Sequence, residues 1–159
     1  MSLTASRASL LHVALQDLRA GKALLIERLP ALADAASSIA LREVIERDRA
    51  NARQQAARFD EMADLSNAPP NLWMAGILDD ADRDARSHQP GAIRDTALIG
   101  ALRKAKAAEI VSIETALALA GSEAPSMLAS LGANHAEERG IESRLAKLLA
   151  SIGGQVPVA

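Results

Sequence analysis

The sequence predicts an all-α protein built on long amphipathic helices, and three observations carry that prediction. Ala and Leu dominate the 159 residues and Arg and Glu are well represented, all good helix formers. β-branched residues are sparse, Tyr is absent, and Phe59 and Trp73 are the only Phe and Trp, which leaves little material for strands. Apolar residues recur at steps of three and four along four stretches, the spacing that places them on one face of a helix. A chain of this length suits one domain with a sizeable core. We expect that domain to span residues 1–152, with 153–159 as a flexible tail after Gly153-Gly154.

The first helix is expected from Ser6 into the low thirties, with a stripe of Leu11, Ala14, Leu18, Lys22, Leu25, Leu29 and Leu32. Pro30 should kink or interrupt it, because proline lacks the backbone donor and crowds the preceding turn. Lys22 stands mid-stripe, where either its stem snorkels along the face or the whole side chain is buried. Ser37-Ser38 supplies an N-cap for a second helix over 39–64, whose stripe of Leu41, Ile45, Ala52, Phe59 and Met62 is broken by Asp48 and Gln55. A proline-bearing loop over 66–70 leads to a short amphipathic helix over 72–86, with Trp73, Met74, Ile77 and Leu78 on its apolar side. His88-Gln89-Pro90-Gly91 ends it.

The third long helix should run from Ala92 to Ala120 and stop at Gly121, a natural C-cap. After a turn over 122–125, the fourth should run over 126–151, with a stripe of Leu128, Leu131, His135, Glu138, Glu142, Leu145 and Leu149. Gly132 and Gly140 weaken it by about 1 kcal/mol each relative to Ala, which a close neighbouring backbone would explain. The order is thus two helical hairpins joined by a long crossover that contains a short helix. Such a connection carries the chain from one end of a four-helix bundle to the other, the single-crossover topology of ferritin-like folds.

Composition excludes several function classes. Lys and Arg are interspersed with Asp and Glu at a formal net charge of −2, so no basic footprint for nucleic acid or an anionic membrane forms. Without cysteine, disulfides, thiolate zinc sites and Cys nucleophiles are out. The apolar run over 10–15 is too short for a secretory signal, and no stretch approaches a membrane span, so a cytoplasmic location is the expectation. No Gly-rich phosphate loop or nucleophile elbow is present, and we assign no catalytic residue.

What remains is a set of charged residues inside apolar stripes: Lys22, Asp48, Lys106, Glu109, His135, Glu138 and Glu142. Each lies some way into its helix, so in an antiparallel bundle they can meet as one polar layer. A core stripe does not carry such groups unless something opposite satisfies them. In one reading the two lysines supply the counter-charge, giving a buried salt-bridge layer with no metal or other cofactor. In the alternative, Glu109, His135, Glu138 and Glu142 hold iron or manganese. The arrangement of a full di-iron site, Glu on two helices and Glu-x-x-His on two more, is not present, and the first reading is favoured.

Several stretches carry a family resemblance. Gly91-Ala92-Ile93-Arg94-Asp95-Thr96-Ala97-Leu98-Ile99, Lys106-Ala107-Ala108-Glu109-Ile110, Met74-Ala75-Gly76-Ile77, Glu137-Glu138-Arg139 and Leu29-Pro30 follow, in order and spacing, motifs of the YciF-like branch of the ferritin-like superfamily. The chain resembles that branch over most of its length. The resemblance implies a ferritin-like bundle, a bacterial stress context and a homodimer. It also implies a lost di-metal site, because the family's helix-one Glu falls on Lys22, its helix-two Glu-Glu-Thr-His run on Ala50-Asn51-Ala52-Arg53, and its first helix-three Glu on Lys106.

Overall fold

The computed structural model describes residues 3–122 and 124–159 and is helical throughout its regular elements. The helices are α1 (Arg7–Ala35), α2 (Ile39–Met62), α3 (Leu72–Ser87), α4 (Ala92–Ala120) and α5 (Pro125–Gly153). Side-chain caps start three of them: Ser6 accepts from the Ser9 amide, Ser38 from Leu41 and Asn71 from Met74. Gly121 ends α4 at φ 65, a left-handed conformation that glycine adopts without strain. The expected turn over 122–125 includes Glu123, which lies outside the described residues.

The four long helices pack as a closed ring in which α1 meets α2, α2 meets α5, α5 meets α4 and α4 meets α1. Long-range hydrogen bonds set the directions. Arg7, at the start of α1, donates to the Leu119 and Ala118 carbonyls at the end of α4, while Asp95 at the start of α4 meets Ser37 and Ser38 just past α1, so these helices are antiparallel. Arg58 late in α2 meets Asn134 early in α5, which makes that pair antiparallel too. Helices α2 and α4 therefore run the same way, and the connection between them must climb the bundle. α3 does this, packed on α1 and α4. Asn71 Nδ2 donates to the Asp17 carbonyl at 2.8 Å, Trp73 Nε1 donates to Asp17 Oδ2 at 2.7 Å, and Arg28 pairs with Asp79 and Asp82 further along.

Two expectations need correction. Pro30 lies inside α1 and does not interrupt it, since the helix runs on to Ala35. The carbonyl its ring leaves without a donor is that of Ile26, and Arg49 of α2 supplies one, Nε to Ile26 O at 2.9 Å. Gly132 and Gly140 are exposed and a Cβ at either would meet nothing within 4 Å, so no close helix approach explains them. The close approach is at Gly21 instead, where a Cβ would stand 3.0 Å from the Asn71 side chain. On the apolar side of α3, Met74 is fully buried and Trp73 packs against the core, as the stripe leads one to expect. No helix among the described residues is long and apolar enough to cross a membrane.

The core falls into two apolar clusters. One is built on Leu25, Leu29, Leu41, Ile45, Leu102 and Leu145, the other on Leu15, Leu18, Phe59, Ile113 and Leu131. Lys22 lies between Leu18 and Leu25 along α1, and Glu138 between Leu131 and Leu145 along α5, so the polar layer separates the two.

Candidate functional site

The buried charged residues of four helices meet in that separating layer. Lys22, Lys106 and Glu138 have no exposed surface, Glu109 has 1% and Asp48 2%. Lys22 Nζ donates to Glu109 Oε1 and, at 2.9 Å, to Glu138 Oε1. Lys106 Nζ donates to Asp48 Oδ1 at 2.7 Å and stands 2.6 Å from Glu109 Oε2 and 2.7 Å from Glu138 Oε2. Each of the two glutamates thus spans both ammonium groups, one oxygen to each. Both contacts to Oε2 are close, fully buried ion pairs.

Burial and charge pull these groups in opposite directions. Burial pushes the Glu109 carboxyl up to about 7, helped by the Glu138 charge beside it and opposed by Lys106 and Lys22. Asp48 is also raised, since burial outweighs the pull of Lys106. Burial works against the ionised form of Glu138 as well, but Lys106 and Lys22 together hold it well below the ordinary carboxylate range. Burial alone would lower both lysines. The carboxylates around them hold both above the usual ammonium value, Lys106 the more strongly with Asp48, Glu109 and Glu138 about it.

Two of the seven residues expected in the layer lie elsewhere. Glu142 faces outward and forms a forked pair with Arg103 of α4, Nη2 to Oε1 at 2.6 Å. His135 Nε2 lies 2.9 Å from Glu114 Oε1, at the surface between α4 and α5. The inward line of α5 is Leu131, Asn134, Glu138, Ile141 and Leu145, a seam repeating every seven residues, and 135 and 142 fall on its flank. The four-residue metal set of Glu109, His135, Glu138 and Glu142 is therefore not brought together. Nor does the remaining site fit a metal ion. The oxygens that would ligate it, on Glu109, Glu138 and Asp48, face ammonium nitrogens 2.6–2.9 Å away, which fill the space between them with positive charge.

Other polar residues inside the bundle position its parts. Asp95 is 2% exposed, and its carboxylate accepts from the Ser37 amide at 2.8 Å and the Ser38 amide at 2.7 Å, clamping the start of α4 onto the start of α2. Arg94 Nη1 donates to the Ala85 carbonyl in the last turn of α3 at 3.1 Å. The Arg-Asp pair that carries much of the family resemblance thus joins helix ends and touches no part of the layer. Below the layer, Gln55 Nε2 donates to Glu137 Oε2 at 2.9 Å and Arg58 holds both Asn134 and Glu137. Asn134 and Asp95 escaped the sequence reading. The only signal for Asn134 was its place in the seven-residue seam; for Asp95 it was a motif with no visible partner.

A family model described as a domain of unknown function, DUF892, matches residues 6–155. The chain belongs to that family. The crystal structure of the E. coli stress protein YciF superposes with a TM-score of 0.88 at 23% identity, covering 95% of this chain and 99% of that one. YcfI from Rhodopseudomonas palustris gives 0.81 at 20% identity, with 89% and 94% covered. No curated protein sequence matches. The YciF-like resemblance read from the motifs thus holds at the level of family and fold.

Proposed function

We propose that this chain is a ferritin-like four-helix bundle that works without a metal, as a structural or interaction protein in stress physiology, and that its lysine–glutamate layer stands in place of a di-metal centre. One observation carries this reading: Glu109 and Glu138 each bridge the same two cations, with Lys22 on their Oε1 atoms and Lys106 on their Oε2 atoms. Two carboxylates bridging two positive centres, with Asp48 as a further ligand to one of them, is the arrangement of a dinuclear carboxylate site with ammonium groups at the metal positions. The crossing directions of the helices and the bundle-length crossover support the ferritin-like assignment. The stress context rests on the description of the E. coli relative.

The reading gives the layer a structural task. A buried ion cluster adds little net stability over an apolar core, yet it penalises any packing in which one member loses its partners. It therefore favours one register of four helices over its alternatives. Elemental analysis of the purified protein, before and after incubation with ferrous and manganous salts, tests the proposal. We expect substoichiometric metal in both samples. One or two bound ions per chain would overturn it.

A further inference from the structure

The layer contains three carboxylates, Asp48, Glu109 and Glu138, but only two ammonium groups, Lys22 and Lys106. Among the described residues no other charge is available to it. The neighbouring ions are engaged outside: Arg58 with Glu137, Arg103 with Glu142, and Arg28 with Asp79 and Asp82. α3 buries Met74, Leu78 and Ala81, none of which titrates. The groups around Glu109 are thus Lys22 from α1, Asp48 from α2, Glu138 from α5 and Lys106 on its own helix. With all five ionised the sealed layer would hold an uncompensated negative charge, which an apolar surround penalises heavily.

The contacts point to the same deficit. Oε2 of Glu109 and Oε2 of Glu138 share a single ammonium, Lys106 Nζ, at 2.6 and 2.7 Å, and that ammonium also donates to Asp48. One additional proton would turn one of these carboxylates into a donor to the other. We propose that the layer holds one proton between Glu109 and Glu138, so that folding takes up a proton near neutral pH and the bundle loosens as the pH rises. The inference rests on the metal-free reading above, since a bound cation would supply the missing charge in the proton's place.

The energetics have a definite sign. In the unfolded chain Glu109 ionises at its ordinary value of 4.5, whereas burial keeps the folded carboxyl protonated up to about 7. The folded state therefore binds the extra proton over the interval between these values, and its advantage is lost as the pH rises through the upper one. Glu138 acts oppositely, but far below this range.

The test is thermal and urea unfolding of the full chain from about pH 5.5 to about pH 8.5, beside Glu109→Gln, which imitates the protonated carboxyl. Over that span the wild type should lose about 30-fold in its folding equilibrium constant relative to the variant. The three histidines are common to both proteins and cancel in the comparison. Parallel profiles would overturn the proposal. If the variant does not fold, infrared difference spectra of the wild type decide. A protonated-carboxyl C=O band present at neutral pH and lost on alkalisation supports the proton, and its absence refutes it. Metal analysis of the same samples separates the two readings. Stoichiometric metal overturns the metal-free reading itself, whereas metal-free protein with parallel profiles overturns only the proton.

Discussion

Replacing Lys106 by methionine is the sharpest perturbation of the layer. Methionine keeps most of the buried stem, so little cavity forms, but the charge that contacts Asp48, Glu109 and Glu138 is gone. Three buried carboxylates would then face Lys22 alone. Removing one partner of a buried ion cluster costs about 3–5 kcal/mol, because the partners left behind remain desolvated and unpaired. For a domain of this size that corresponds to a fall in Tm of about 10 °C. Guanidinium titrations followed by circular dichroism would measure it. Combining Lys106→Met with Asp48→Asn should cost less than the sum of the single changes, since the second removes one of the stranded charges. A single-variant loss below about 1 kcal/mol, or strict additivity in the double variant, would show that the five groups do not form one energetic unit.

Three further outcomes follow from positions outside the layer. Asp95→Ala strands the Ser37 and Ser38 amides and should cost about 2–3 kcal/mol in thermal unfolding, with little change in helix content of the folded state. Arg49→Met should destabilise the wild type by about 1 kcal/mol, but much less in a Pro30→Ala background, where the restored backbone amide can itself donate to the Ile26 carbonyl; equal effects in the two backgrounds would refute the capping role. Asp17→Ala removes the acceptor for the indole of Trp73, the only tryptophan, so its fluorescence should shift and become more open to quencher while far-UV dichroism stays unchanged.

Helix boundaries were readable because glycine, proline and capping residues punctuate this chain with little ambiguity. Gly121 is the clearest case, a predicted stop that does adopt positive φ. The charged stripe positions were readable in part for a related reason: Lys22, Asp48 and Lys106 sit between apolar neighbours at helical spacing, although for Lys22 that spacing admits a snorkelling stem as well as full burial. Where the pattern ran onto a flank it misled. His135 and Glu142 are one turn either side of Glu138, and a stripe drawn at steps of three and four admits them, whereas the narrow seam of a packed bundle does not. What the sequence could not show was anything fixed by a distant partner. Pro30 looked like a break because Arg49 lies on another helix, and Asp95 looked like part of a motif because the amides it holds are 57 and 58 residues away.

The double bridging by Glu109 and Glu138 also constrains how this core can change over generations. Each lysine sits in a cage whose other corner is the second lysine, so replacing either alone strands carboxylates that both had neutralised. The two lysines are therefore epistatic: each is tolerated in this core only in the presence of the other. Across related chains, lysine at one of these positions should be inherited with lysine at the other, and chains carrying one alone should be rare and unstable.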